Sequence, residues 1–387
     1  MDFSWPDHIT EDINRFNHFL RDEMEPYLAN WYREGEVPKQ FFKSMGTGGW
    51  FNFTFEDNKL KRLSSFRGSL MAERLAALSP GVAVALMVHS DLGLTGLQLF
   101  GSDDQISRCG KSALNGDLLL CLGNTEAAAG SDVSGIGMTA EKVHGGWRLN
   151  GTKAYVTGGS AADVAFVTAI TDPSAERNRK LSMFLVDLSS EGVTRKKLNK
   201  QVWIPSDLSR IQLKNVFVPE DHLVGELGQG LQQVLSIFTH SRVPISALTL
   251  GTAQGAFEMA MAHASKRRAF DRRLLDFQNK AFEAADFYAK IESARLLLWK
   301  ACWKVDSGED FRLAASLAKF MTVSVAKEVT GWAADIFGAA SVIADHPIHN
   351  FPLDAWASSL GEGTQDIQKL IIFREMIKKL GIPDTRY

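Results

Sequence analysis

The spacing of apolar positions changes twice along the chain. From residue 10 to about 115 it is mostly helical: "ITEDINRFNHFLRDEMEPYL" sets Ile13, Phe16, Phe19 and Leu20 on one face, and "LMAERLAAL" continues the pattern. From about 118 to 218 short apolar runs recur between turn signals, in "LLLCLG", "WRLNGTKAYVT", "DVAFVTAI", "SMFLVDL" and "IQLKNVFV". The last alternates Ile211, Leu213, Val216 and Val218 with one slip, and "GG" at 145–146 and "NG" at 150–151 suit hairpin turns. No stretch of helical length separates these runs, which predicts an antiparallel barrel or sandwich and argues against a doubly wound sheet. After "GELGQG", 225–230, helical spacing returns. Phe287, Ile291, Ala294, Leu298 and Cys302 fall on one stripe, as do Ile367, Leu370, Ile371 and Ile377. The chain is thus expected to be α+β, with a helical domain over 1–116, a β domain over 117–225 and a second helical domain over 226–387.

Composition narrows the function classes. A chain of 387 residues is too long for one ordinary core, so two or three packed units are expected. Its 45% hydrophobic and 23% charged residues, with Lys+Arg 43 against Asp+Glu 45, fit a globular protein and give no sign of a nucleic-acid partner. The longest apolar runs, such as "VAVALMV" at 82–88, fall short of the roughly 20 residues of a membrane span. The acidic start, "MDFSWPDHITED", lacks the basic flank and apolar stretch of a secretion signal, so a cytoplasmic location is expected. Cys109, Cys121 and Cys302 are widely spaced, without a CxxC pair, and are expected to be buried thiols with no metal or redox role.

Two Gly-containing stretches carry candidate chemistry. "TEAAAGSD", 125–132, follows the run "LLLCLG"; it has no Lys of a Walker A loop, and the strand after it rules out a dinucleotide GxGxxG turn. Alone, it fits either a structural turn or a ligand loop. "SLGEGTQDIQ", 359–368, places Glu362 between two glycines at the start of an apolar, helix-like segment. Such an acid can simply complement a helix N-terminus, or it can be a base that glycines bring close to a substrate.

Taken together, these segments resemble the acyl-CoA dehydrogenases. "NTEAAAGSD" is similar to the family's T-E-P-G-A-G-S-D, "NGTKAYVTGG" to N-G-x-K-x-W-I-T-N-G, "NVFVPEDHLVGELGQG" to V-x-V-P-x-x-x-x-x-G-x-x-G-x-G, and "LGEGTQDIQKLIIFREMI" to Y-E-G-T-x-x-I-Q-x-x-x-x-A-R, in the family's order from about residue 80 onward. The resemblance implies a flavin enzyme with an N-terminal helical domain, a central antiparallel β-barrel or sandwich and a C-terminal four-helix bundle, with FAD between the last two. It implies that Glu362 takes the α proton of an acyl-CoA thioester while hydride passes from the β carbon to flavin, with a backbone N–H at the base and a flavin ribityl hydroxyl stabilising the enolate oxygen. A desolvated Glu suits that task because its pKa rises toward neutrality.

Position by position, the resemblance makes Thr125, Ser131, Tyr155, Thr157 and Thr364 flavin-site residues, and Arg242 and Gly363 substrate-side residues. Arg267, Phe270 and Gln278 match residues that reach the FAD of a neighbouring subunit, which implies a homo-oligomer, usually a tetramer. An electron-transfer flavoprotein or a similar acceptor is the implied redox partner. Read without the resemblance, Thr125 and Thr157 are strand residues, Arg267 and Arg242 helix charges, and Phe270 core.

Several positions depart from the family pattern. "DIFGAAS" has Asp335, Ala339 and Ser341 where relatives have Gln and two glycines, and an acid there would repel a pyrophosphate. Ala127 and Ala128 replace Pro-Gly, "WIPSDLS" stands at 203–209 for the usual R-x-S loop, and "GTGGWFNFTFEDNK" replaces an E-Y-G-G segment that shapes the acyl pocket. Relatives with the base on the helix before Arg242 would need an acid at Ser241. Asp91 in "VHSDLG" is a possible second acid, as in relatives that oxidise cyclic thioesters; its other role is a helix cap or surface acid. A carrier-protein thioester, an oxygen-using flavoenzyme and a flavin-free partner subunit are the alternative functions.

Overall fold

The computed structural model describes residues 7–383; the first six residues of the acidic opening stretch lie outside them. The N-terminal region comprises α1 (Asp7–Glu23), α2 (Leu28–Glu34), α3 (Lys39–Thr47), β1 (Phe53–Glu56), β2 (Lys59–Arg62), α4 (Ser65–Leu78), α5 (Pro80–Met87), α6 (Thr95–Phe100) and α7 (Asp103–Leu114). Phe16 and Leu20, predicted on one face of α1, are fully buried. The β1–β2 hairpin departs from the helical expectation for this region. Its two turn residues, Asp57 and Asn58, both take positive φ, which is the geometry of the tight turn that joins antiparallel strands.

A π-helical segment, Val88–Leu94, joins α5 to α6 into one helix from Pro80 to Phe100. At 21 residues it is long and apolar enough to cross a membrane, although "VAVALMV" alone was too short, because the helix continues through Leu92, Leu94 and Leu97. Most of it is buried within the protein, so it packs as a core helix.

The middle region holds β3 (Leu120–Gly123), β4 (Thr139–Val143), β5 (Gly146–Thr157), β6 (Val164–Ile170), β7 (Leu181–Asp187), β8 (Val193–Lys197), β9 (Leu208–Pro219) and β10 (Leu223–Val224). They form one sheet in the order β10-β7-β6-β4-β5-β9-β8, with β3 added on β6. The sheet is mainly antiparallel, but β3 runs parallel to β6, because the long loop after β3 carries the chain back before the next strand begins. β5 and β9 pair over most of their length with irregularities at Leu149/Gly151 and Lys153/Val156. Tyr155 sits in the second with φ +56°, which re-aims its side chain.

The C-terminal region is α8 (Gly230–Ala264), the short hairpin β11 (Arg268–Ala269) and β12 (Arg272–Arg273), α9 (Gln278–Asp306), α10 (Arg312–Phe337), α11 (Phe351–Ala357) and α12 (Gln365–Lys379). Its four long helices are α8, α9, α10 and α12. One apolar core runs from Phe16 through Phe166 of the sheet to Ile237 and Leu248 of α8, and a second fills the C-terminal bundle around Leu250, Leu298 and Val329. α8 contributes to both. It can approach α4 closely because Gly251 and Gly255 meet the backbone of Glu73 and Ala77, where a Cβ would clash. Cys121 and Cys302 are buried as expected, whereas Cys109, on α7, is only half-buried and packs at the margin of the core.

Candidate active site

A cavity of about 570 Å³ lies between the sheet, the 80–100 helix, α8 and the loop before α12. Thr125, Ser131, Tyr155 and Thr157 line its sheet side; Arg242, Glu362, Gly363 and Thr364 line the helical side. Segments more than 200 residues apart in sequence thus meet in one space.

The sheet side is braced from behind by Lys153, a lysine of β5 with no exposed surface. Its Nζ donates to Glu126 Oε1 at 2.8 Å and to the Asn124 carbonyl at 3.0 Å. Glu126 in turn accepts from the amides of Gly137 (2.7 Å) and Met138 (3.0 Å), so one ion pair ties together both arms of the loop that carries Thr125 and Ser131. Burial would raise the pKa of Glu126, but Lys153 and the two amides outweigh it and hold the carboxyl below its ordinary range. Burial lowers Lys153 to about 8 against the opposing pull of Glu126.

On the helical side, Thr364 caps α12 through the Ile367 amide (3.4 Å), which fixes where the loop ends. Glu362 itself takes φ +51° and Gly363 φ +90°. Gly361 lies outside the left-handed region, so the strain falls on the acid. The carbonyls of Gly361, Glu362 and Gly363 are each held. Gln368 Nε2 donates to the carbonyls of Glu362 (3.1 Å) and Gly363 (3.0 Å), and Arg242 Nε to that of Glu362 at 3.4 Å. Lys319 Nζ, from α10, donates to the carbonyls of Gly361 and Gly363. Glu362 is half-buried by area, yet protein closes in on its carboxyl enough for burial to raise its pKa; Lys319 and Arg242 oppose that rise and Asp91 adds to it. Burial lowers Arg242 to about 10.

The remaining predicted residues lie elsewhere. Arg267, Phe270 and Gln278 sit on the β11–β12 hairpin and the start of α9, all exposed, with Phe270 90% exposed; none lines the cavity of its own chain. Phe270 is therefore not a core residue. Asp91 is neither a surface acid nor a cap. It lies on the π-helical segment, paired with Arg62 at 3.0 Å and accepting from Ser90 at 2.7 Å, and lines a second cavity of about 60 Å³ that shares Met87 with the first.

Sequence reasoning passed over Lys319, Lys153 and Asp354. Lys319 falls in "LAASLAKFMTVSV", at helical spacing from the buried Ala315, Thr322 and Val323, and a cation on an apolar face is the signal that would have found it. Asp354, in α11, is buried with Oδ1 accepting from the Trp203 amide at 2.5 Å and Oδ2 unpaired, and burial lifts its pKa to about 7. It joins the bundle to the 200–206 loop, where Lys200 and Trp203 line the cavity.

The chain matches three family descriptions in order: acyl-CoA dehydrogenase, N-terminal domain, over residues 13–117; middle domain, over 121–216; and C-terminal domain, over 228–377. It belongs to the acyl-CoA dehydrogenase family. It is 31% identical over 368 residues to the caffeyl-CoA reductase-Etf complex subunit CarC of Acetobacterium woodii, covering 93% of this chain and 96% of that protein. To the mitochondrial short-chain specific acyl-CoA dehydrogenase of Mus musculus it is 29% identical over 362 residues, covering 93% and 88%. The solved butyryl-CoA dehydrogenase of Megasphaera elsdenii superposes with a TM-score of 0.92 at 28% identity, over 97% of this chain and all of that one.

As a member of this acyl-CoA dehydrogenase family the chain is an oxidoreductase whose cofactor is FAD. The cavity fits that group. Its volume is in the range of cofactor pockets. Its sheet side offers the hydroxyls of Thr125, Ser131 and Thr157, and a Cβ at Gly130 would meet only open space. Asp335, which would repel a pyrophosphate, is exposed near the C-terminal end of α10 and does not line the cavity.

Proposed function

We propose that this enzyme dehydrogenates an acyl-CoA thioester at its α and β carbons, with Glu362 as the base that accepts the α proton. The observation that carries the reading is that Glu362 is the only carboxylate lining the 570 Å³ cavity among the described residues. Burial raises its pKa, which makes it a stronger proton acceptor than a solvated Glu. Among the described residues no acceptor meets the amides of Glu362 or Gly363, which leaves donors for a developing enolate oxygen. Arg242 holds the Glu362 carbonyl and places a positive charge beside the base. FAD, when bound against Thr125, Ser131 and Thr157, supplies the acceptor for hydride. Glu362→Gln should lower flavin reduction by substrate by ~10²-fold or more with FAD content unchanged, measured by stopped-flow bleaching. Wild-type bleaching rates would sink the assignment.

A cyclic acyl group is the second reading, favoured by Asp91, which lines the adjoining cavity and is near enough to raise the pKa of Glu362. If it holds, Asp91→Asn abolishes reduction by a cyclic acyl thioester; if the substrate is open-chain, the effect is several-fold at most.

The exposed Phe270, Phe282 and Tyr288, at the hairpin and on α9, support a homo-oligomer in which Arg267, Phe270 and Gln278 reach a neighbour's FAD. A charge-assisted contact to phosphate contributes about 1.5–3 kcal/mol, so Arg267→Ala should weaken FAD binding roughly tenfold or more. A monomer retaining FAD fully contradicts this. The CarC relative is named as part of an Etf complex, which supports an electron-transfer flavoprotein as acceptor for this chain as well.

A further inference from the structure

Behind the base loop stands a cation that the reaction as described does not use. Lys319 has no exposed surface and does not line the cavity, whereas Gly361, Glu362 and Gly363 do, so Lys319 touches the loop from the side away from the substrate space. It donates to the carbonyls on both sides of Glu362, those of Gly361 and Gly363. In a trans peptide the C=O and the following N–H point in opposite directions. Drawing the Gly361 carbonyl toward Lys319 therefore turns the Glu362 amide away from it, toward the cavity, and the same holds for the Gly363 carbonyl and the Thr364 amide. The left-handed φ of Glu362 is a conformation that a free glutamate rarely adopts, so it must be imposed by such contacts.

We propose that Lys319 is a positioning residue for the base: it pins the two flanking carbonyls, so that the Glu362 amide and carboxyl both face the substrate, and its charge keeps the carboxyl ionisable in a buried setting. The proposal rests on the reading of Glu362 as the base. Electrostatics agree in direction. Burial raises the pKa of the Glu362 carboxyl most, and three charged groups act on it from three elements: Lys319 on α10 and Arg242 on α8 oppose burial, and Asp91 on the π-helical segment adds to it. Lys319 is the first of these after burial, and Glu362 in turn opposes the lowering that burial imposes on Lys319.

Removing the charge should make Glu362 harder to ionise, so the acid limb of the pH profile for flavin reduction moves to higher pH, by on the order of one unit. The experiment uses FAD-loaded enzyme with Lys319→Met, which removes charge and donors, and Lys319→Gln, which keeps donors without the charge. Both should shift the limb upward, and Lys319→Met should also lose about tenfold or more on the high-pH plateau, since the amide donor is no longer aimed. Should Lys319→Met fail to retain FAD, Lys319→Gln carries the test. The carboxyl ¹³C resonance of Glu362 in flavin-free protein should titrate at correspondingly higher pH in both. An unmoved limb and an unmoved titration in these variants overturn the proposal, because a lysine with a merely structural role lowers rate or stability without changing the ionisation of Glu362. Glu362→Gln separates the two levels: wild-type flavin reduction there refutes Glu362 as the base, while a limb lost in Glu362→Gln but unmoved in both Lys319 variants refutes the role of Lys319 alone.

Discussion

Two lysines with no exposed surface stand on opposite sides of the cavity, and they differ in what they hold. Lys153 touches its carboxylate: the pair with Glu126 is closed at 2.8 Å, and the remaining lone pairs of Glu126 go to backbone amides. Lys319 instead binds carbonyls and leaves Glu362 within its field but out of direct contact. The pKa directions follow. Glu126 is held below the ordinary carboxyl range, and Glu362 is raised above it. A closed, satisfied pair fixes geometry and removes the acid from chemistry; a nearby, unpaired cation leaves the acid able to exchange a proton.

The largest effect expected from this contrast is on folding. Lys153→Met strands Glu126 without its partner and should destabilise the protein by about 3–5 kcal/mol, seen in denaturant unfolding, with FAD lost as the 124–131 loop loosens. If Lys153 only fixes geometry, whatever holoenzyme remains keeps the acid limb of wild type. A shifted limb would break the distinction between the two lysines.

A smaller effect is expected of Glu126→Gln, which keeps an acceptor for the two amides but leaves the Lys153 ammonium buried without a counter-charge. Destabilisation of about 1–3 kcal/mol is expected near neutral pH, measured in the same way. It should shrink as pH rises toward 8, because Lys153, which burial lowers to about 8 even with Glu126 pulling it up, loses its proton more readily once that carboxylate is gone.

The smallest effect has the opposite sign. A carboxyl whose folded pKa exceeds its unfolded value binds more protons in the native state, so stability is lost as pH rises from the unfolded value, near ~4.3, through the folded one. Glu362 is such a group, and Glu362→Gln should therefore stabilise the flavin-free protein by on the order of 1 kcal/mol at pH 8, with little gain at pH 4. Equal unfolding midpoints for variant and wild type at both pH values would remove the electrostatic difference between Glu362 and Glu126.

The order helix, sheet, helix was legible because burial imposes a period on the sequence: Phe16 and Leu20 on α1, Ile211, Leu213, Val216 and Val218 on β9, and Ile291, Leu298 and Cys302 on α9 are all buried. Thr125, Thr157 and Glu362 could be picked out only through the motifs that carry the family resemblance, since alone the two threonines read as strand residues and the acid as a helix-terminus charge; the structure brings all three to one cavity. The β1–β2 hairpin was not legible, since Asp57-Asn58 is a weaker turn signal than Asn-Gly and its strands are only four residues long. The parallel addition of β3 was equally hidden, because pairing partners 44 residues apart leave no mark on either strand.

What tertiary structure alone decided is which charges meet. Lys319 lies 43 positions before Glu362, and Asp91 more than 270, and nothing in either segment announces the other. Periodicity records whether a side chain faces the core, a property of one element at a time. The ionisation of Glu362 depends on desolvation and on cations and an anion brought near it by three different elements, and proximity of that kind exists only once the chain has folded.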